Sequence, residues 1–345
     1  MKKIEFVFQE SPEVGKLYEI TEGVFWFPMP LPMMGPDYVN CYIFDDGQEI
    51  ALVDTGANIG DCKNIWENTL NKNFSNKKIS NIYVTHHHPD HIGLAGWLCE
   101  KYNAELTCSR TTYLMAKMLS LDVHEKVGAS TELFWRQAGM PQEMLQEKIR
   151  ARPFNFGDGV SPLEKGFIRI TENEIISING LDWAVSMGHG HAPEHATFWS
   201  KELNLVLAGD QILPGISSNL GVYPTEPNAD TVGDWINSCK KFRELASDEH
   251  VVLPGHGKPF TGLPRRLAQL IENHEGALKR IREVLETEPK TAVELFKTIF
   301  KRDINKREYM LALHEAVGHV NHLYKTGLVS RHVRKDGSFI FELKK

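Results

Sequence analysis

One short stretch constrains this chain more than any other: Thr85, His86, His87, His88, Pro89, Asp90 and His91 in a row. It follows the apolar run ISNIYV and precedes text with helical spacing, so it reads as a loop that leaves a strand and opens a helix. In an extended segment, side chains two apart share a side. His86 and His88 are therefore expected to face one way and His87 the other, with Asp90 and His91 turning toward a second point where the helix begins. Imidazoles and a carboxylate at this spacing suit divalent metal ions, and the two directions suit two of them.

A metal centre needs further donors, and other apolar runs end in them. GHGHAPEH follows LDWAVSM, Asp210 follows LNLVLAG, and His256 stands in VVLPGHG, each in a loop after a strand. A lone buried histidine is more often structural than ligating, but several delivered from successive strand ends are hard to explain that way. Glycines beside these residues permit the close backbone approach that a crowded centre requires.

Around this nucleus the text from Gly23 to Asp54 alternates β-rich runs with turn clusters and predicts a meander. The segment PMPLPMMGPD carries prolines that oppose regular pairing, together with Met29, Leu31, Met33 and Met34. It reads as a loop, either a flap or packed on the core. Helical spacing runs over 58–70 and 92–101, a strand over 104–108, and two or three helices over 110–150. Strands resume at IRI, EIISI, LDWAVSM, ATFWS, LNLVLAG and HVVLPG. These features predict an α/β domain over 1–287 with a helical insertion at about 110–165. Two further helices and the hairpin LVSRHV, KDGS, FIFEL predict a winged-helix-like domain over 288–345.

Composition fits this division. A chain of 345 residues with 41% hydrophobic and 24% charged residues is long enough for two folded domains and too apolar for general disorder. Residues 260–345 carry 17 Lys and Arg against 11 Asp and Glu, so the C-terminal part is basic and the rest acidic. No uncharged apolar stretch is long enough to span a bilayer, and Glu5, Gln9 and Glu10 interrupt any export signal, so a cytoplasmic protein without membrane attachment is expected. Five scattered cysteines without a CxxC pair predict reduced thiols.

In its ordered motifs His86-x-His88-x-Asp90-His91, Gly190-His191, Gly209-Asp210 and Gly255-His256, preceded by Asp54 in VDTG, the chain resembles the metallo-β-lactamase-fold hydrolase superfamily. The tail resembles the winged-helix domain of one branch, so nearly the whole chain is covered. The resemblance implies an αββα sandwich with metals at one edge. It implies that His86, His88 and His191 bind one ion, that Asp90, His91 and His256 bind a second, and that Asp210 bridges them. It also selects His191 over His189, because the family pattern G-H-x-x-x-H then places His195 four residues on; Asp54 and His195 are expected behind the ligands. Nitrogen and oxygen donors without thiolate suit two zinc ions, with iron or manganese as alternatives.

The expected chemistry is attack by a bridging hydroxide on an ester or thioester, of acyl-thioester or lactone type, with Asp210 bridging and Asp90 carrying the leaving group's proton. Alternatives are an endoribonuclease whose tail binds nucleic acid and a non-catalytic metal or ligand sensor. Against the nuclease stand the acidic catalytic part and the scarcity of Arg and Lys in Met310 to Lys325; tail packing or homodimerisation is the favoured role. Candidate pocket residues for a small, partly apolar substrate are Met33, Met34, Phe134 and Tyr223. Met115, Met118, Trp135 and Met144 are expected to pack helices or line the same pocket.

Overall fold

A computed structural model describes residues 1–31, 36–164 and 166–344. Met33 and Met34 lie outside the described residues. The chain divides into two compact units, each assembled from separate stretches: Met1–Val123, Asn155–Ser218 and Leu245–Arg266 in the first, and His124–Phe154, Asn219–Glu244 and Leu267–Lys345 in the second.

The first unit contains two seven-stranded sheets. One runs in the order Tyr18–Thr21, Val24–Pro30, Tyr38–Asp45, Glu49–Val53, Lys78–Tyr83, Glu105–Cys108 and Ile168–Arg169. Its first four strands are antiparallel, as a meander must be, and the last three join in parallel. The other runs Glu5–Phe6, Phe260–Thr261, Val251–Pro254, Leu205–Gly209, His195–Ser200, Leu181–Gly188 and Ile175–Ile178.

Successive residues of the meander strands enter different layers, which is the period of two expressed as packing. Trp26, Tyr42, Phe44, Ala51 and Val53 meet Trp183, Val185, Phe198, Leu207 and Leu253 of the second sheet. Their neighbours Phe27, Cys41, Ile43, Ile50 and Leu52 turn the other way, onto Trp66 and Leu70 of helix Cys62–Asn73 and Leu98 of helix Ala95–Tyr102. All five cysteines are buried and free of disulfides. None of the helices is long and apolar enough to cross a membrane, among the described residues.

Pro28 and Pro30 do not stop pairing as expected. Val24–Pro30 stays in register with Tyr38–Phe44 through Pro28 and Pro30. The Pro28 carbonyl accepts from Gly15 N–H, on the side away from that partner, so the proline ring nitrogen also faces away and the ladder loses no donor. Met29, between the two prolines, is fully buried.

In the second unit the helices Ala129–Gln137, Gln142–Arg150, Phe296–Phe300 and Tyr309–Lys325 accompany a hairpin of Val329–Val333 with Phe339–Leu343. Its separate stretches interlock: Val293 N–H donates to the Ala138 carbonyl at 3.1 Å, and Gly139, at φ +92°, leaves no room for a side chain beside Thr291. Val222 N–H donates to the His314 carbonyl, and Asn321 Nδ2 donates to the carbonyls of Pro227 and Ala229.

The sandwich is pinned by Trp26 Nε1, which donates to Asn40 Oδ1 at 2.7 Å, while Asn40 Nδ2 donates to the Pro254 carbonyl at 2.8 Å. Trp26→Phe leaves the buried Asn40 oxygen without its donor and should destabilise the chain by about 1–3 kcal/mol. A lowered thermal midpoint by circular dichroism checks it, and an unchanged midpoint refutes it.

Candidate metal centre

Strand geometry brings the candidate residues together. Glu49–Val53 and Lys78–Tyr83 are parallel neighbours, so Asp54 and Thr85 leave adjacent ends. Leu205–Gly209 and Val251–Pro254 are likewise parallel, which sets Asp210 beside His256. Leu181–Gly188 is antiparallel to His195–Ser200, itself antiparallel to Leu205–Gly209, so the loop carrying His191 emerges at the same edge as Asp210. Ala196 N–H donates to the Thr85 carbonyl at 2.8 Å and ties the two sheets beside the site.

Backbone space there is minimal. A Cβ on Gly255 would collide with Asp210 Oδ1 and lie 2.8 Å from His91 Cε1. Gly209, at φ +47°, would place one 2.6 Å from His195 Cε1. Both positions demand glycine because of what lies against them, and Gly209 also for its backbone conformation.

Three tautomers follow from the hydrogen bonds. Asp54, at φ 58°, accepts from Thr85 N–H, from the Thr85 hydroxyl and from His91 Nδ1, each at 2.8 Å. Because the Thr85 hydroxyl donates to this carboxylate, it accepts from His86 Nδ1 at 3.0 Å. His256 Nδ1 donates to the Tyr38 carbonyl at 2.8 Å. With Nδ1 carrying hydrogen in all three rings, the Nε2 lone pairs of His86, His91 and His256 point inward.

Those lone pairs meet the remaining donors. His86 Nε2 lies 3.0 Å from His88 Nδ1 and 3.2 Å from His191 Nε2. His256 Nε2 lies 3.2 Å from Asp90 Oδ2 and 3.4 Å from Asp210 Oδ2, and His91 Nε2 is 3.4 Å from Asp210 Oδ1. His191 Nε2 is 3.5 Å from Asp210 Oδ2. Within this cluster three sets of ligand atoms lie close enough to hold an ion, among the described residues: His86, His88 and His191; His86, His91 and Asp210; and Asp90, His91 and His256. The donor set fits divalent cations on two counts: it is all imidazole and carboxylate, and His91 Nε2 and Asp210 Oδ1 are buried without a hydrogen-bond partner among the described residues.

Electrostatics divide the cluster. Burial and neighbouring imidazoles push His86 and His88 well below the usual histidine range, keeping them neutral donors. Burial also opposes charge on His91, but Asp210, Asp90 and Asp54 override it and raise that ring well above the range. His256 is raised to about 10, burial again being outweighed, here by Asp210 and Asp90. The carboxylates thus make the Asp90, His91 and His256 side the one that most attracts positive charge.

His195 stacks on His86 with centroids 4.5 Å apart, and its Nε2 accepts from Asp210 N–H at 3.1 Å. His189, the other register for the loop, is exposed and accepts from Glu194 N–H through Nδ1 at 3.3 Å. His87 is buried against Phe156. Phe134 and Tyr223 lie in the second unit on either side of His314, at centroid distances of 5.8 and 4.7 Å. Trp135 is buried, Met115 and Met144 are half-buried, and Met118 is 47% exposed, so Met118 does not pack helices as expected. Sequence reading missed Thr85, which relays Asp54 to His86, and Tyr38, whose role is a backbone carbonyl. Thr85 adjoins the histidine run and was within reach of it; no side-chain pattern reveals Tyr38.

The description of the metallo-beta-lactamase superfamily matches residues 34–256, and that of a metallo-beta-lactamase-like C-terminal domain matches 278–344. The chain belongs to the metallo-beta-lactamase superfamily. It is 24% identical over 315 residues to the probable metallo-hydrolase YqjP of Bacillus subtilis, covering 87% of this chain and 92% of that one. The crystal structure of a beta-lactamase domain protein from Burkholderia ambifaria is similar at TM-score 0.85 and 29% identity, over 99% of this chain and 97% of that one. A metallo-beta-lactamase family protein from Thermus thermophilus is similar at TM-score 0.76 and 25% identity, over 94% and 100%. A metal-dependent hydrolase is the class these relatives support.

Asp54→Ala should weaken zinc binding about 10- to 100-fold by freeing the His91 and His86 tautomers. Competition against a chromogenic chelator measures it, and parental affinity would remove Asp54 from the site.

Proposed function

We propose that the protein is a binuclear metal-dependent hydrolase that cleaves an ester or thioester, of acyl-thioester or lactone type, in a small and partly apolar substrate. The observation that carries this reading is the convergence of the inward Nε2 atoms of His91 and His256 on the oxygens of Asp90 and Asp210, beside His86 Nε2, which meets His88 and His191. On this reading His86, His88 and His191 would hold one divalent ion, Asp90, His91 and His256 would hold the other, and Asp210 would serve both. When bound, such ions polarise a carbonyl oxygen and bring the pKa of water to about 7; zinc suits the donors best.

The chain's own residues supply orientation and proton transfer. Asp54 and Thr85 hold His91 and His86 in one tautomer, and His195 holds the backbone of Asp210. Asp90 keeps 20% of its side chain exposed, against 9% for Asp210 and 3% for Asp54, and is the carboxylate best placed to exchange protons with substrate. It takes the proton that the attacking water releases as the new carbon–oxygen bond forms. It delivers that proton to the oxygen or sulfur that departs as the old bond breaks.

A small acyl substrate is favoured over RNA by charge and by burial. The first 259 residues are net acidic and repel a polyanion. Helix Tyr309–Lys325, the element that would read nucleic acid, buries 10 of its 17 residues. We therefore assign the winged-helix-like tail to packing or to pairing of two chains.

Chelation should abolish turnover and zinc should restore it. His88→Ala and Asp210→Ala should each lower kcat/KM by more than about 100-fold, as loss of a metal worth several kcal/mol requires, with the parental circular dichroism spectrum retained. The assay is a panel of acyl-thioesters, lactones, p-nitrophenyl esters, a β-lactam and single-stranded RNA. Full turnover with one ion in this cluster, or cleavage of RNA alone, would overturn the reading.

A further inference from the structure

The second unit holds another convergence of donor atoms, from residues that take no part in the chemistry above. Helix Leu263–Leu285 carries His274, and helix Tyr309–Lys325 carries Glu315 and His319 four residues apart, on one face. Both histidines are 1% exposed. His319 Nδ1 donates to the Glu315 carbonyl one turn back at 2.9 Å, which fixes the hydrogen there and leaves Nε2 with its lone pair. That Nε2 faces His274 Nδ1 at 3.3 Å, the rings lying 29° from parallel. A Glu315 carboxylate oxygen completes a set whose ligand atoms all lie within 4.8 Å of one another.

We propose that His274, Glu315 and His319 form a binding site for a structural divalent transition-metal ion, zinc by the character of its donors, that clips these two helices together. Zinc–nitrogen bonds of about 2.0–2.1 Å in a tetrahedron set neighbouring ligand atoms roughly 3.3–3.4 Å apart. The two imidazole nitrogens already stand at that separation. Both histidines are almost completely buried and the ligands come from two helices, so an ion here would join helices rather than meet substrate.

Charge supports the same assignment. Burial pushes Glu315 up to about 8, relieved only by the hydrogen bond from Asn219 Nδ2, at 3.0 Å from Oε2. Burial pushes His319 down to about 4 and His274 to about 3, the latter also through its proximity to His319, so both rings are neutral ligands at pH 7. A doubly charged ion would let the carboxylate ionise without protonating either ring.

The test uses the full-length chain, stripped with chelator and reloaded with zinc. Glu315→Gln, close in shape, should bind one ion fewer per chain than the parent by elemental analysis and lose part of the zinc-induced rise in thermal midpoint. In the unmodified protein, anomalous diffraction at the zinc edge should place a peak between His274 and His319. Asp210→Ala must leave that peak in place, which separates this site from the one assigned to catalysis. Equal metal content in parent and Glu315→Gln overturns the proposal, as does an anomalous map with no such peak. The map decides the matter even if the variant does not fold.

Discussion

The carboxylate of Asp54 organises the candidate centre from behind. It sits at the end of a central strand in a left-handed conformation that side chains seldom adopt, and accepts three hydrogen bonds in a buried environment. Two of these hold Thr85, at the end of the adjacent parallel strand. The third orients His91. Through the Thr85 hydroxyl the same anion also reaches His86. One side chain therefore fixes the position of a strand end and the hydrogen placement of two imidazoles, neither of which the histidines could specify alone.

Crowding supplies the second constraint. The backbones at Gly209 and Gly255 pass so near His195, Asp210 and His91 that no side chain fits at either glycine. Gly255 N–H donates to the Gly209 carbonyl at 2.7 Å, and Asn40 N–H donates to the Gly255 carbonyl at the same distance. The loops bearing Asp210 and His256 are thus stitched to each other and, through Asn40, to the opposite sheet. Rigid backbone, rather than long flexible side chains, sets the spacing of the donor atoms.

Much of this was legible in the chain. The period of two placed His86 and His88 on one side, and runs such as LNLVLAG announced strands whose ends carry donors. The resemblance to a known family chose His191 over His189, which spacing left open. What stayed hidden depends on long-range geometry. Asn40 reaches Pro254, 214 residues away, and His256 reaches a carbonyl 218 residues away. Pro28 misled because a proline's effect on a ladder depends on which edge its nitrogen faces. Helical spacing over 58–70 placed a helix start near Asn58, but the helix begins at Cys62, after Asn58 N–H pairs with the Gly159 carbonyl and Gly60 adopts a left-handed turn.

The second unit draws on three separated stretches, and each supplies contacts that the others need. Val293 leans on Ala138, Val222 on His314, Asn321 on Pro227. A single cut near residue 287 would part the tail from both of these interior segments. Such a fragment would depart with bare hydrogen-bonding groups and leave matching wounds in two interior segments. To carry this unit whole, a chimera would have to include all three pieces.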